Sequence, residues 1–400
     1  MTPAVFVGRG LQATRAWLLL LCTLLLRGTP AHADEPVVQV RLRTLHPPAT
    51  VRLWSGSGGR LRIGAEDALW RTGTAVRVTA VAGGVEVTVG DALPRRVDAL
   101  TARALHLRLD DVRLGGAVTL RSPDGRTLYV VAAIPLEDYV AGVTAAEALP
   151  GTPPEALRAQ AVAARSYAVA LARLDRRRAQ PMGPHADEGF DLCDLTHCQV
   201  FRGLGRAEAA EAARSTRGQC LWRDGRVVAA WYHSTCGGHT VDGRDIGADP
   251  ALRGGVDAPT GGRAWCAASP HFRWSADISR DEMRHALESD SRIVPVGRLR
   301  GVRVVSREED GRAREVEIAS DTVRVCSGQE LWQMLGAALG WGRVESAWFT
   351  IKPTPRGFHF DGRGCGHGAG LCQYGSIGMA RAGHTCAQIL AHYYKGTKVR

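Results

Sequence analysis

The sequence predicts an α+β protein, in which a β-rich N-terminal part precedes a region of mixed helices and strands. Short β segments with alternating apolar residues fill residues 34–114, whereas helices and strands follow in irregular order over residues 115–400. Hydrophobic residues make up 45% of the chain, which is enough apolar material for real cores. Because helices and strands do not alternate regularly, a mixed fold is favoured over a parallel α/β fold.

Residues 1–33 are predicted to be a cleaved secretory signal. Two arginines precede the apolar run "AWLLLLCTLLL" at residues 16–26, and Ala31-His32-Ala33 has the small-x-small pattern of a cleavage site. A lipoprotein processed at Cys22 is the less favoured alternative, because the residue before it is a bulky leucine. No stretch reaches the roughly 20 apolar residues of a transmembrane helix. We therefore expect an exported protein of the periplasm, cell wall or extracellular space, with no transmembrane segment after signal removal.

The charge of the chain favours anionic surroundings. Its formal charge is +11, which becomes +8 when the predicted signal takes three arginines with it. The basic residues are scattered, and export favours cell-wall polymers or membrane surfaces over nucleic acid as partners. A GC-rich genome is an equally good explanation for the arginines. Of ten cysteines, nine remain after signal removal, and an odd number in an exported protein implies that not all of them form disulfides.

The N-terminal part is predicted to consist of strands and hairpins. The segment "VQVRLRT" at residues 38–44 alternates apolar and polar residues, and "AVRVTAV" and "VEVTVG" flank a Gly-Gly turn. A further hairpin, "VTLRSPDGRTLYVV", turns over residues 122–125.

Two helices are predicted next. The first begins at Pro135 and ends near Glu147, because Leu149-Pro150-Gly151 stops it. The second carries Thr152 as N-cap, Pro153 at its first position and Glu155 closing a capping box. It presents a narrow stripe of mostly small residues, with its arginines away from that stripe.

Strands resume in the C-terminal part of the chain. Hairpins are predicted over Asp224-Gly225 and Asp310-Gly311, and a capping box from Ser327 to Glu330 begins a short helix. The glycine-rich loop "GRGCGHGAG" precedes a last predicted helix from about Cys372 to His392. This loop also contains a dinucleotide-type glycine pattern, which is disfavoured because the βαβ context is missing.

Four separated blocks together resemble the SpoIID/LytB family, the sporulation stage II protein D group. They are "IPLEDYVAGVTAAEALPGTPPEALRAQAVAARSYAVA", "DLTHCQVFRG", "WYHSTCGGHTVDG" and "CGHGAGLCQYGSIGMARAG". The resemblance implies a SpoIID-like peptidoglycan-cleaving domain over residues 115–400. Enzymes of this family are lytic transglycosylases, which cut glycan strands and leave 1,6-anhydro ends. Other members, the amidase enhancers, modulate a separate cell-wall hydrolase, so a non-catalytic peptidoglycan-binding regulator is the alternative function.

The resemblance identifies Glu147 as the catalytic acid. One carboxyl group can protonate the glycosidic oxygen and then, as carboxylate, accept a proton from the sugar hydroxyl that closes the anhydro ring. Such an acid requires a raised pKa, and the C-terminal end of a helix disfavours negative charge. Arg158 and Arg165 would oppose this effect if they approached. By spacing alone, Glu147 is more simply a surface residue at a helix end.

Glu137 and Asp138 are the competing acids. They lie in the first turn of the same predicted helix, where acidic side chains complement the helix dipole, so a structural role is favoured for both. Ten helical residues, about 15 Å, separate residues 137 and 147, which is too far for a close pair of carboxylates.

The stretch "FDLCDLTHCQVFRG" offers ligands for zinc. Cys193, His197 and Cys198 supply thiolate and imidazole, and His185 is close enough along the chain to be a fourth ligand. Some family members carry a zinc site of two cysteines and two histidines in this region. Four protein ligands favour a structural or site-shaping zinc over a catalytic one, and the HExxH motif of zinc peptidases is absent. A disulfide and free structural thiols are the alternatives.

Two loops are expected to face the substrate. His233 and Ser234 precede a Gly-Gly turn, and the glycine-rich loop and the start of the last predicted helix offer His367, Gln373 and Tyr374 to a saccharide. A Ser-His hydrolase built on residues 233 and 234 is disfavoured, because neighbouring strand residues point to opposite faces. The expected substrate-binding set also includes the helical arginine, Arg165. The position of Cys236 is often serine in the family. Cys236 and Cys266 are one candidate disulfide pair in an oxidising compartment, and the sequence leaves the pairing of the cysteines open.

Overall fold

The computed structural model describes residues 35–56, 61–63, 68–70, 75–104, 106–172, 174, 185, 187–289 and 297–400. The predicted signal, residues 1–33, lies outside these residues. Val37–Arg400 form one compact unit. Within the described ranges, no helix has both the length and the apolar character needed to cross a bilayer.

The fold is α+β, as predicted, and its first part is all strand. The strands are β1 (Val37–Leu42), β2 (Thr50–Ser55), β3 (Leu61–Ile63), β4 (Ala68–Trp70), β5 (Val76–Val81), β6 (Gly84–Val89), β7 (Arg95–Val97), β8 (Ala99–Arg103), β9 (Leu107–Leu109), β10 (Val112–Leu114), β11 (Ala117–Arg121) and β12 (Tyr129–Pro135). The predicted hairpins are confirmed, since β5 pairs with β6 and β11 pairs with β12, both antiparallel.

These strands form two sheets. One has the order β10-β9-β2-β5-β6-β7, and the other has the order β13-β1-β12-β11-β8-β3-β4, in which β13 is Leu192–Cys193. Alternation along β1 buries Val38, Val40 and Leu42 in the core of this part. Because β8 pairs with β11, residues on both sides of the predicted boundary at residue 114 share one sheet.

Three helices follow around this core. They are α1 (Leu136–Glu147), α2 (Pro154–Leu171) and, after β13, α3 (Ala207–Ser215). The predicted bounds of α1 are confirmed: Pro135 is its N-cap residue and Glu147 its last residue. Both faces of α2 are buried, one against the β-rich core and the other against the C-terminal core, which explains its many alanines.

The predicted start of α2 is wrong by one residue. Pro153 rather than Thr152 is the N-cap residue, and no side chain caps this end. The Thr152 hydroxyl instead donates to the carbonyl of Leu149 at 2.8 Å. The Glu155 carboxylate accepts the backbone N–H of Cys386 at 2.7 Å, so it joins α2 to a distant segment instead of closing a capping box.

The remaining elements complete the C-terminal part. They are β14 (Leu221–Arg223), β15 (Arg226–Val227), β16 (Tyr232–His233), β17 (His239–Thr240), β18 (Gly255–Val256), β19 (Trp274–Ser279), α4 (Arg280–Glu288), β20 (Gly301–Arg307), β21 (Ala313–Ala319), β22 (Val323–Ser327), α5 (Gly328–Leu339), β23 (Phe349–Pro353), β24 (Gly357–Gly362), β25 (Leu371–Cys372), α6 (Gln373–Arg381), α7 (Cys386–Tyr393) and β26 (Lys398–Val399). The hairpins β14-β15 and β20-β21 and the capping box at Ser327 are as predicted.

The single last helix predicted from Cys372 to His392 is two helices, α6 and α7. The chain turns between them at Gly383, whose φ of +90° is accessible to glycine but unfavourable for other residues. Thr385 then forms a capping box with Gln388, which begins the new helix.

Two close approaches position the loop that follows β13. A Cβ atom at Gly142 of α1 would lie 2.4 Å from the Phe201 ring, and one at Gly205 would lie 2.0 Å from the Ala145 side chain. Only glycine at these two positions lets the loop of residues 200–205 pack directly on α1. The backbone of Val200 is thereby held beside the C-terminal end of that helix.

Candidate active site

The four sequence blocks meet at the carboxyl group of Glu147. Val200 donates its backbone N–H to Glu147 Oε1 at 2.8 Å, and the side chains of Tyr232 and Gln373 also hydrogen-bond the carboxylate. Gln373 Nε2 lies 3.3 Å from the backbone carbonyl of the same glutamate. Parallel pairing of β16 with β25 sets Tyr232 opposite Leu371, two residues before Gln373. Segments far apart in the sequence therefore supply the donors around one acid.

Burial raises the pKa of the Glu147 carboxyl group above its ordinary value. Removal from water is the largest influence, whereas the three hydrogen-bond donors and the positive charge of Arg202 act in the opposite direction without cancelling it. The acid form is therefore retained to higher pH than in a free glutamate. A general acid that works near neutral pH requires this property.

The raised pKa has a different main cause from the predicted one. The carbonyls at the end of α1 are partly neutralised, because Arg206 donates to the carbonyl of Ala148 at 2.9 Å. Burial of Glu147, and not the helix end, is the leading influence on its pKa. Arg158 and Arg165, which would have opposed the effect by approaching, form ion pairs with other glutamates.

A buried chain of hydrogen bonds orients the Tyr232 hydroxyl. Tyr139 donates to Gln199 Oε1 at 3.2 Å, which leaves the amide nitrogen of Gln199 to donate to the Tyr232 oxygen at 3.1 Å. Burial raises the pKa of both tyrosines well above the ordinary value, so both remain protonated. Since the Tyr232 oxygen accepts from Gln199, its own proton points to Glu147. Sequence reasoning missed this chain, although Gln199 and Tyr232 lie inside two of the quoted blocks.

Arg165 does not lie at this site, contrary to the sequence prediction. Its side chain is fully buried, and it forms a two-pronged ion pair with Glu137 at 2.5 and 3.0 Å. Its remaining N–H groups donate to the carbonyls of Ala213 and Gln219. A guanidinium so enclosed has no route to a polysaccharide. The same pairing gives Glu137 a structural role, as predicted.

The imidazoles of His233 and His367, which were predicted to bind substrate, hydrogen-bond the backbone of the site. His233 is 5% exposed, and its Nδ1 donates to the carbonyl of Ala369 at 3.1 Å. His367 uses both ring nitrogens: Nε2 donates to the carbonyl of Tyr232 at 2.9 Å, and Nδ1 accepts from the Ala369 N–H. Burial lowers the pKa of His367 to about 4, so this imidazole is neutral. It fixes the backbone that carries Tyr232.

Ser234 is tied to its own loop. Its hydroxyl is 3.3 Å from that of Thr235 and hydrogen-bonds Cys365, while its carbonyl accepts the N–H of Tyr374 at 3.1 Å. In the described part of the chain, no hydrogen bond joins Ser234 to the His233 imidazole, so the disfavoured Ser-His hydrolase gains no support.

A small cleft at the C-terminal end of α1 is lined by two aromatic residues. Tyr374, which was predicted, and Trp265, which was not, both line it, and Leu149 and Pro150 connect it directly to the end of α1. Trp265 is held against His384 with ring centroids 5.2 Å apart. The other lining residues are Gly151, Thr152, Ala268, Ile377, Gly378 and Arg381.

The four predicted metal ligands lie together. One ligand atom from each of His185, Cys193, His197 and Cys198 falls within 4.8 Å of the other three, and His197 Nδ1 is 3.8 Å from each sulfur. The donor set of two sulfurs and two nitrogens is one that zinc prefers. His185 Nε2 is buried and has no hydrogen-bond partner among the described residues, which is expected of a nitrogen that binds a metal ion.

The carboxylate that holds the His185 ring also fits a metal site. His185 Nδ1 lies 2.8 Å from the Glu188 carboxylate, an arrangement that orients the ring with Nε2 toward the cluster. The hydrogen bond from Cys198 lowers the pKa of the Cys193 thiol. Cys198 is two residues from Val200, whose N–H binds Glu147.

The candidate disulfide between Cys236 and Cys266 is not formed. Both residues are free thiols, with their sulfur atoms 3.5 Å apart.

Comparison with known proteins identifies the family. Residues 124–222 match the SpoIID family, described as Stage II sporulation protein. The chain is 30% identical to the Stage II sporulation protein D of Bacillus subtilis (strain 168) over 309 residues, which cover 71% of this chain and 81% of that protein. The chain belongs to the SpoIID family. The family match contains Glu147, Val200 and all four predicted metal ligands.

Other relatives extend this picture. An uncharacterized protein of Brachyspira hyodysenteriae is 30% identical over 281 residues, 69% of this chain and 70% of that protein. The amidase enhancer of Bacillus subtilis is 26% identical over 298 residues, which cover 61% of this chain but only 37% of the enhancer. Residues 265–370 of this SpoIID family member also match a domain of unknown function, DUF8618.

Proposed function

We propose that this SpoIID family member is an exported peptidoglycan lytic transglycosylase in which Glu147 acts first as acid and then as base. The observation that carries the proposal is the environment of Glu147: a half-buried carboxyl group with a raised pKa, surrounded by hydrogen-bond donors and next to an aromatic cleft. Export rests on the predicted signal in residues 1–33.

The first step requires the acid form of Glu147. Its proton passes to the glycosidic oxygen as the bond from that oxygen to the anomeric carbon breaks. The electron pair of this bond stays on the leaving oxygen, and positive charge develops on the sugar ring. A carboxyl group whose pKa is raised by burial keeps the required proton near neutral pH.

The second step uses the carboxylate that the first step leaves. The 6-hydroxyl of the same sugar attacks the anomeric carbon, its proton passes to Glu147, and the 1,6-anhydro ring closes. The acid is regenerated, and water is not consumed. The Val200 N–H and the Tyr232 hydroxyl donate to the carboxylate in the interval when it carries its charge.

The cleft supports a saccharide as the substrate. Trp265 and Tyr374 offer aromatic faces for the apolar C–H faces of sugar rings, and Gln373 offers an amide next to the acid. Glycan strands of peptidoglycan are therefore the proposed partner.

Zinc is proposed as a structural ion held by His185, Cys193, His197 and Cys198. Four protein ligands leave no position for substrate or water, so its contribution would be to fix the loop from residue 193 to residue 200. Chelation is expected to lower the thermal stability of the protein. Loss of activity with stability unchanged would favour a zinc enzyme instead.

The test is product analysis. Purified peptidoglycan is incubated with the protein, and soluble products are examined by mass spectrometry for 1,6-anhydro ends. Glu147→Gln is expected to abolish them, because the amide can neither donate the acid proton nor accept one. Glu208→Gln, which changes an exposed glutamate in the first turn of α3, serves as the matched control and should retain full activity. Products that persist in Glu147→Gln would contradict the assignment.

A second candidate function is a non-catalytic enhancer of a cell-wall amidase. Similarity to the Bacillus subtilis amidase enhancer favours it. In this case neither intact peptidoglycan nor glycan strands stripped of their stem peptides would give anhydro products. Addition of the protein to a purified N-acetylmuramoyl-L-alanine amidase would instead increase the release of stem peptides, and Glu147→Gln would increase it equally.

A further inference from the structure

A second cluster of metal-type ligands lies behind the cleft, away from the cysteine and histidine cluster near Val200. It consists of Cys236, Asp257, Cys266 and Cys372, one ligand atom of each lying within 4.8 Å of the other three. All four residues are 0% exposed. They come from four separate segments of the C-terminal part of the chain. The fold therefore brings three thiols and one carboxylate together in an interior that solvent does not reach.

The sulfur–sulfur distance suits ligands of one ion better than a disulfide. Cys236 Sγ lies 3.5 Å from Cys266 Sγ and 3.0 Å from Asp257 Oδ2. Two sulfurs bound to one tetrahedral zinc at about 2.3 Å would be about 3.8 Å apart, whereas disulfide sulfurs are separated by about 2.0 Å. A disulfide would also leave the third thiol and the carboxylate enclosed with no common partner.

Backbone amides are directed at the sulfur atoms. The Gly238 N–H lies 3.3 Å from Cys236 Sγ, and the N–H groups of Cys236 and Gly375 lie 3.2 and 3.3 Å from Cys372 Sγ. The Gly237 N–H bonds Cys266. Gly237 and Gly238 have φ values of +75° and +109°, which permit this turn. Such donors stabilise thiolates, the form of cysteine that binds metal.

Asp257 is held as a ligand would be. Its Oδ1 accepts from the Tyr393 hydroxyl at 2.7 Å and lies 3.1 Å from His392 Nε2, which leaves Oδ2 directed at the sulfurs. Outer partners of this kind orient carboxylate ligands in metal sites.

The charge of Arg363 partly offsets the charge that three thiolates and a carboxylate would keep after binding a divalent ion, whereas Arg312 is also paired with Asp310. Arg312 Nη2 donates to the carbonyl of Cys236 at 3.2 Å, and the charge of Arg363 also acts on this cysteine. Arg363 Nε is buried and has no hydrogen-bond partner in the described part of the chain.

We propose that Cys236, Cys266, Cys372 and Asp257 bind a second zinc ion. Thiolate donors select zinc over magnesium or calcium, and four protein ligands make the site structural. The bound ion would join both walls of the cleft: Cys266 follows Trp265, and Cys372 is the N-cap residue of α6, which carries Gln373 and Tyr374. This site does not depend on the proposed glycan cleavage.

Metal content tests the proposal. The full protein is reconstituted with zinc under reducing conditions, freed of excess metal and measured by elemental analysis and native mass spectrometry. Two zinc ions per chain are expected. The variant Cys193→Ser/Cys198→Ser, which disables the first cluster, should retain one, and adding Cys372→Ser should remove it. Cys220→Ser changes another buried cysteine, outside both clusters, and should keep two.

Spectroscopy identifies the donors. Cobalt(II) added to the Cys193→Ser/Cys198→Ser variant should give thiolate-to-cobalt charge-transfer absorption, which adding Cys236→Ser should weaken. If the multiple variants do not fold, the single variant Cys372→Ser decides the question: it should hold one zinc fewer than the unmodified protein, and an unchanged zinc count would overturn the proposal. A Cys236–Cys266 disulfide found by non-reducing peptide mapping of the reconstituted protein would also overturn it.

Discussion

Replacing Tyr232 with phenylalanine tests the proposed electrostatics of Glu147. The change removes one oxygen atom and keeps the ring. It deletes the hydroxyl that donates to the carboxylate and leaves the amide nitrogen of Gln199 without that acceptor. Because this hydrogen bond favours the ionised form, its loss should raise the pKa of Glu147 further.

The magnitude follows from the hydrogen bond that is lost. A hydrogen bond to a charged group contributes about 1.5–3 kcal/mol, and one pKa unit corresponds to about 1.36 kcal/mol. Since Glu147 is half-buried and keeps the donors Val200 and Gln373, the lower end applies, which predicts an upward shift of about one unit. The carboxylate formed in the first step also loses stabilisation, so the maximal rate should fall about tenfold.

The assay is the pH dependence of anhydro-product formation under kcat/KM conditions. Activity requires protonated Glu147, so it declines as the pH rises through the pKa of this group, and in Tyr232→Phe the decline should move to higher pH. Tyr139→Phe is the matched control, because it removes a buried tyrosine hydroxyl two hydrogen bonds beyond Tyr232 in the same chain and should shift the profile less. A folded Tyr232→Phe with the wild-type profile would refute the reasoning.

Three further predictions concern stability. Folding raises the pKa of Glu147 above its ordinary value of 4.5. The protein is therefore less stable when the pH exceeds the raised pKa than it is below pH 4.5, because ionisation of Glu147 then favours the unfolded chain. Glu147→Gln should have a higher melting temperature than wild type at about pH 8 but not at about pH 4. Gly142→Ala should cost about 1–3 kcal/mol in urea unfolding by forcing Phe201 away, and an unchanged midpoint would contradict this. Arg165→Met should cost about 3 kcal/mol by removing the buried guanidinium that pairs with Glu137, which keeps the Gly218 N–H, and adding Glu137→Gln should restore part of that loss.

Local signals predicted the elements well. The end of α1, the hairpin turns and the capping box at Ser327 each depend on a few neighbouring residues, and all are present. The predicted start of α2 was wrong because the N-cap preference of Thr152 competes with two successive prolines, and proline at Pro154 fits the first helical position equally well. The prediction of one long last helix was wrong. A single glycine at position 383 hardly changes the periodic pattern of apolar residues, but the chain turns there after α6.

Burial of charge was the hardest feature to predict. Arg165 lies off the small-residue stripe of α2, which suggested exposure, yet α2 packs on more than one side and encloses the guanidinium with Glu137. The polar chain from Tyr139 to Tyr232 depends on the pairing of β16 with β25, a contact between residues more than 130 positions apart. No local pattern encodes such a register. The four residues of the first metal cluster were predictable because three of them are neighbours in sequence.

Each of the two clusters of metal-type ligands lies next to a residue that hydrogen-bonds the Glu147 carboxyl group. The first lies two residues before Val200, whose N–H binds Glu147, and the second includes Cys372, next to Gln373, which bonds both the carboxylate and the carbonyl of that residue. Each donor is on a loop or a helix end, where the backbone can move more freely than inside a helix or strand, and a bound ion would restrict this motion. Since these donors lower the pKa of Glu147 against the effect of burial, loss of either proposed ion should move that pKa upward before the fold is lost.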